Sequence, residues 1–334
     1  MILVLEEAAT PESVARAEQA VRRAGADPKR LSAEGGRFAI HAPGLTRDEV
    51  RDVPGVAFVL EGKAAYKRVA RVSADESTRV VAVRGVAIGG REVVLMAGPC
   101  AVEHEAQLDE CARAAKDAGA RLLRGGAFKP RTSPYSFQGL GDEGLRLLRA
   151  AADRHGLAVV TEVLEPNAVG QVAEYADMLQ VGSRNMQNSA LLRAVGRQTR
   201  PILLKRGMSA TLEEWLLAAE YIADAGNEDI VLCERGVRTF DTASRNLLDL
   251  AAVPLLRART RLPVAVDPSH GVGVKGAVLP MALAAVAAGA DAIMVECHPE
   301  PGTAKSDGFQ ALTPAELVAL GARLRVVARA VERS

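Results

Sequence analysis

Aromatic side chains are scarce: Phe, Trp and Tyr together make up 3% of the 334 residues, so any core must be built from aliphatic side chains and alanine. Cysteine is scarce too. Cys100, Cys111, Cys233 and Cys297 are scattered, form no CxxC pair and no secreted framework, and read as reduced thiols of a cytoplasmic chain. Charge of one sign is also lacking: 42 Lys and Arg against 41 Asp and Glu leave a net charge of +1. That balance excludes the global field of a dedicated nucleic-acid or membrane-surface binder and leaves only local clusters. Glu6 and Glu7 follow the apolar residues 1–5 at once, so no secretory leader is expected. The longest apolar run, residues 277–290, is interrupted by Pro280 and falls short of the roughly 18 residues a membrane span requires. No GxGxxG follows an early strand, which counts against a doubly wound dinucleotide-binding sheet.

What is present is material for a large core. Hydrophobic residues are 49% and charged residues 25% of the chain, with mean hydropathy +0.06, the profile of a soluble globular protein. The length suits one barrel-sized domain with a small appendage. Residues 1–65 read as that appendage: a strand at 2–5, a helix over 11–24 capped by Thr10 and closed by Gly25, strands near 30–33 and 37–41, a helical stretch over 46–51 and a strand at 56–60. The order βαββαβ is that of a ferredoxin-like split unit. Residues 66–91 read as a linker ending in a short hairpin, 80–83 with 86–88.

From residue 92 to 334 an apolar strand, a glycine-rich or charged loop and a helix recur. Strands are expected at 93–97, 121–124, 158–162, 178–181, 202–205, 230–233, 264–267 and 292–296. Eight such repeats in roughly 240 residues are the arithmetic of a (β/α)8 TIM barrel, so the fold class is α/β. Thr211-Leu212-Glu213-Glu214 is a capping box. Trp215, Ala219 and Ile222 recur behind it at helical spacing, which makes Trp215 a packing residue between helix and sheet and not a ligand platform.

Chemistry in such a barrel sits at the carboxyl ends of the strands, and two sets of residues gather there. Cys100, His270, Glu296 and Asp307 supply a thiolate, an imidazole and two carboxylates, a mixed donor set suited to one divalent ion of the Mn, Fe, Co or Zn class. Strand parity sends Glu296 and Cys297 to opposite faces and leaves His298 as the competing ligand. The second set is cationic: Arg124, Lys129, Arg131, Arg184, Lys205 and Arg235. Gathering six cations costs mutual repulsion that bound anions relieve, and the arginine fork matches carboxylate and phosphate. In the alternative reading each cation pairs with an Asp or Glu across the rim.

The motifs Gly98-Pro99-Cys100-Ala101-Val102-Glu103, Lys129-Pro130-Arg131-Thr132-Ser133, Gly182-Ser183-Arg184-Asn185-Met186-Gln187-Asn188, Leu204-Lys205-Arg206-Gly207 and Asp267-Pro268-Ser269-His270-Gly271 resemble those of 3-deoxy-D-arabino-heptulosonate 7-phosphate (DAHP) synthases, type I-beta branch. The likeness runs through residues 92–334. It implies condensation of phosphoenolpyruvate with D-erythrose 4-phosphate and water, the first step of the shikimate pathway of aromatic amino-acid synthesis. It further implies Cys100, His270, Glu296 and Asp307 as metal ligands, Arg124, Lys129, Arg184, Lys205 and Arg235 around phosphoenolpyruvate, and Arg131, Thr132 and Ser133 around the sugar phosphate. Lys129 is then the residue for proton traffic at the aldehyde, and Glu162 the one that orients or deprotonates water.

A sister synthase that makes 3-deoxy-D-manno-octulosonate 8-phosphate is the nearest alternative. Its sugar-binding loop carries Lys-Ala-Asn-Arg where this chain has Lys129-Pro130-Arg131. A non-catalytic aromatic amino-acid sensor is a third reading, opposed by the intact metal and cation sets. The resemblance also implies tyrosine or phenylalanine bound by the N-terminal domain and a homotetramer, with no nucleic-acid or membrane partner.

Overall fold

The computed structural model describes every residue except 7, 8, 33–37, 46, 51, 52, 54, 61–64, 72–75 and 132. It divides into two compact units, Met1–Ser77 and Thr78–Ser334.

The first unit is a four-stranded antiparallel sheet of β1 (Ile2–Leu5), β2 (Lys29–Ser32), β3 (Phe38–His41) and β4 (Val56–Leu60), in the order β2-β3-β1-β4, with helices at Pro11–Arg23 and Arg47–Val50. That is the ferredoxin-like arrangement. Thr10 accepts the Ser13 amide and Pro11 pre-sets the first turn, so the longer helix starts where expected. Its buried positions Val14, Ala17, Glu18 and Val21 lie on one face, and the apolar ones pack with Leu3, Leu5 and Ile40. Glu18 is tied to Arg30 of β2, whose guanidinium holds the carboxyl below its usual range despite the opposing effect of burial.

The second unit opens with a hairpin, β5 (Val81–Val83) and β6 (Val86–Ile88). Arg84 and Gly85 both take positive φ, 46° and 81°, as a two-residue primed turn demands. Then come β7 (Val94–Gly98), β8 (Leu122–Arg124), β9 (Ala158–Glu162), β10 (Met178–Val181), β11 (Ile202–Lys205), β12 (Ile230–Glu234), β13 (Val264–Val266) and β14 (Ala292–Glu296). These eight are parallel neighbours in sequence order, and β14 closes on β7 with Glu296 opposite Gly98. Trp215 is fully buried, donates its indole N–H to Leu204 O at 3.1 Å, and follows the capping box of Thr211 and Glu214.

One expectation is corrected. The expected hairpin forms, but it belongs with the barrel, whose expected start is residue 92: Val81, Val83, Val86 and Ile88 form one core cluster with Val94, Met96, Leu122, Ala158 and Met178. They cover the end of the barrel where the strands begin. Among the described residues no helix is long and apolar enough to cross a membrane.

Candidate active site at the carboxyl ends of the barrel strands

The four-donor group is built by the ends of three strands and one loop. Gly98 ends β7 at φ 152° and its Cα lies against Arg124 O, where a Cβ would overlap the carbonyl; the chain turns there into Pro99 and Cys100. After β13, Asp267 caps the short helix Pro268–Val272 by accepting the His270 amide at 3.0 Å, and its other oxygen meets His270 Nδ1 at 2.7 Å. That second contact fixes the ring, so Nε2 faces Glu296 Oε1 at 3.1 Å and Asp307 Oδ2 at 3.8 Å. Asp307 Oδ2 in turn lies 3.4 Å from Cys100 Sγ. One ligand atom from each of Cys100, His270, Glu296 and Asp307 lies within 4.8 Å of all the others. A sulfur, a nitrogen and two carboxylate oxygens, gathered in a buried recess, fit one divalent ion of borderline softness.

Electrostatics within this group are strongly coupled. Burial alone would lower the His270 pKa, but Asp267 and Glu296 override it and hold it up at about 10. Burial would raise Glu296, yet His270 and Arg124 keep its carboxyl far below the usual range. His298, the competing ligand, points elsewhere: its Nε2 lies 3.6 Å from Glu103 and its Nδ1 accepts the Glu300 amide. Cys297 packs on the opposite face, its carbonyl 3.5 Å from Cys111 Sγ.

Beside the group opens a cleft lined by Arg124, Lys129, Arg131, Glu162, Arg184, Lys205 and Arg235, together with His270 and Asp307. All six cations of the sequence reading therefore meet. They are not equivalent. Arg124 donates to Glu296 at 2.9 Å and to Pro99 O at 2.7 Å, and Lys205 lies 2.5 Å from Asp267, so two of the six have protein carboxylates as partners. This corrects the expectation that bound anions alone relieve the repulsion. Lys129 Nζ is 3.0 Å from both Sγ and O of Cys100.

Among the described residues the remaining arginines have no carboxylate partner. Arg131 Nη2, Arg235 Nη1, Arg124 Nε and Ser183 Oγ are buried with no hydrogen-bond partner among the described residues, and all four belong to residues lining this cleft. Burial and the neighbouring Arg245 and Arg184 lower the Arg235 pKa against the pull of Asp267. A buried guanidinium in that position is stabilised by an anion.

Glu162 ends β9 and accepts Gln180 Nε2 at 3.3 Å. Gly182 lies against its carboxylate so closely that a Cβ there would overlap it. Ser133, by contrast, is exposed, and its hydroxyl accepts the Tyr135 amide at 3.3 Å within its own loop, away from the cleft lining. Thr132 lies outside the described residues. Sequence reasoning missed Gln180, Met208 and Arg245, which also line the cleft. Only Gln180 had a readable signal: it shares strand parity with Met178 on β10.

The profile of the DAHP synthetase I family matches residues 70–332. The chain belongs to that family. A phospho-2-dehydro-3-deoxyheptonate aldolase of Thermotoga maritima is 50% identical over 268 residues, covering 80% of this chain and 79% of the relative. An octulosonate counterpart is less similar: a 2-dehydro-3-deoxyphosphooctonate aldolase of Geobacter sulfurreducens is 33% identical over 75% of this chain and 98% of its own. The crystal structure of the Thermotoga maritima phospho-2-dehydro-3-deoxyheptonate aldolase (DAHP synthase) superposes with a TM-score of 0.80 at 42% identity, covering 100% of this chain and 98% of that one. A truncated form of the Thermotoga maritima synthase covers 80% of this chain and 97% of its own, with a TM-score of 0.74 at 44% identity. The DAHP synthetase I profile begins at residue 70, close to the boundary between the two units at 77 and 78.

Proposed function

We propose that this chain condenses phosphoenolpyruvate with D-erythrose 4-phosphate and water to give DAHP and phosphate, as a type I-beta member of its family. One observation carries the reading: buried, unpartnered guanidinium nitrogens of Arg124, Arg131 and Arg235 line a cleft beside the four-donor group of Cys100, His270, Glu296 and Asp307. Two phosphates and a carboxylate match such a cleft.

In this reading Arg124, Lys129, Arg184, Lys205 and Arg235 hold phosphoenolpyruvate, and Arg131, with Thr132 next to it in sequence, holds the sugar phosphate, while Ser133 is turned to its own loop and takes no part. Cys100, His270, Glu296 and Asp307 hold one divalent ion of the Mn, Co, Fe or Zn class, which when bound supplies Lewis-acid polarisation of the aldehyde. The cationic cleft sets C3 of the enol against the aldehyde carbon and removes the entropy of their encounter. As the new carbon–carbon bond takes the π electrons, the aldehyde oxygen gains charge, and Lys129 delivers a proton to it. Glu162 orients water toward C2 and takes its proton, and the hemiketal phosphate that results loses inorganic phosphate by cleavage of the C2–O bond. Arg235 and Lys205 stabilise the departing anion.

The test is phosphate release from phosphoenolpyruvate with erythrose 4-phosphate and, in parallel, with arabinose 5-phosphate. Turnover with the four-carbon sugar is expected; preference for the five-carbon sugar would make the chain an octulosonate synthase. Cys100→Ala is expected to lose both bound metal and turnover.

Inhibition by tyrosine or phenylalanine through residues 1–77 and assembly as a homotetramer belong to the same proposal. Unchanged aromatic sensitivity after removal of that unit counts against the first, and a monomeric mass by light scattering against the second. All four cysteines are buried and unpaired, which suits a reducing cytoplasm.

A further inference from the structure

Glu296 and Asp307 each offer two oxygens, and in both the two oxygens have different partners. Glu296 Oε1 faces His270 Nε2 at 3.1 Å and Arg124 at 2.9 Å, whereas Oε2 accepts Gln310 Nε2 at 2.6 Å. Asp307 Oδ2 faces Cys100 Sγ and His270 Nε2, whereas Oδ1 lies 3.4 Å from Arg245 Nη1. The same Arg245 nitrogen donates to Gln310 Oε1 at 3.1 Å. Gln310 is fully buried in the short turn Gly308–Gln310, and its backbone N–H donates to Asp307 O at 3.2 Å. Its side-chain orientation is fixed by chemistry: a guanidinium only donates and a carboxylate only accepts, so the amide oxygen must face Arg245 and the amide nitrogen Glu296. An Asp307 backbone in the left-handed region, φ 51°, sits between these two anchors.

We infer that Arg245 and Gln310 form a clamp that makes each carboxylate of the four-donor group present a single oxygen. The clamp engages Glu296 Oε2 and Asp307 Oδ1, so that Oε1, which also accepts Arg124, and Oδ2 are the oxygens turned toward Cys100 and His270 and would face an ion. Arg245 and Gln310 are positioning residues in this scheme, acting through Glu296 and Asp307. The inference rests on the metal reading of the site given above.

The experiment titrates Co²⁺ and Mn²⁺ into the metal-stripped full-length chain, with affinity read by competition against a chelating dye and the Co²⁺ site read by its absorption spectrum. Wild type is expected to show a thiolate-to-Co²⁺ band that Cys100→Ala removes. Its absence overturns the metal reading, and the clamp falls with it. Given that band, Gln310→Met and Arg245→Met are each expected to weaken Co²⁺ and Mn²⁺ binding about 10- to 100-fold and to shift the Co²⁺ ligand-field bands, while the thiolate band persists. Either folded variant with wild-type affinity and spectrum overturns the clamp and leaves the metal reading standing. Arg245 is partly exposed, so its variant decides the matter if Gln310→Met does not fold.

Discussion

Arg235 shows at the scale of one residue how the cleft trades stability for binding. It is 6% exposed, one of its nitrogens has no partner, and burial with two neighbouring arginines works against its charge. Arg235→Met is expected to lower kcat/KM for phosphoenolpyruvate by about 10- to 100-fold, since hydrogen bonds to charged groups contribute roughly 1.5–3 kcal/mol. The melting temperature of the substrate-free chain should not fall, because the variant removes an uncompensated buried charge. A marked drop in melting temperature would assign Arg235 a structural role. Gly182 offers a second test. A methyl group there overlaps the Glu162 carboxylate, so Gly182→Ala should reduce kcat as far as Glu162→Gln does, by about 10²- to 10⁴-fold, with metal content unchanged by elemental analysis. Each cation and metal donor was visible in the sequence as a polar residue after an apolar strand. Which cations already have a protein partner was not visible, because Lys205 and Asp267 are 62 positions apart and meet only across two strands.

Among elements, the hairpin of β5 and β6 separates what periodicity reveals from what it hides. Its alternation Val81-Ala82-Val83 and Val86-Ala87-Ile88, with Arg84-Gly85 between, marks two short strands and one apolar face. It does not tell what that face covers. In the structure the face belongs to the barrel core, with Val81, Val83 and Ile88 at 0% exposure and Ala82 and Ala87 outward. Val83→Ala is expected to destabilise the barrel by about 2–3 kcal/mol through lost burial and the resulting cavity, whereas Ala82→Ser should stay within about 0.5 kcal/mol. Denaturant unfolding of both variants checks this. Equal effects would mean that the hairpin does not seal the barrel.

For the whole molecule, a net charge of +1 conceals local clusters of one sign. In the N-terminal unit His41, half-buried and close to the chain's amino terminus, Lys67, Lys29 and Arg68, has its pKa lowered to about 4, first by burial and then by those cations. The neutral form is therefore the one that folds. Its contribution to stability is complete above the unfolded value of about 6.5 and is lost as pH falls from there through about 4. Hydrogen exchange of β1 and β3, corrected for intrinsic rates, should show protection declining over that window, with a weaker decline in His41→Asn. Equal declines in the two chains would exclude His41 as the cause.

The sequence by itself determined the number and order of barrel strands, the ferredoxin-like order of the first unit and the residues standing at the strand ends. Each of these follows from alternation, capping and turn chemistry within a few neighbouring positions. Only the tertiary structure decided that the hairpin closes the barrel, that Asp267 aims His270, that Arg124 and Lys205 already face carboxylates while Arg131 and Arg235 face none among the described residues, and that Gln310 links Arg245 to Glu296. Those outcomes depend on through-space distance and on burial, and closing β14 onto β7 brings together charges that lie far apart along the chain.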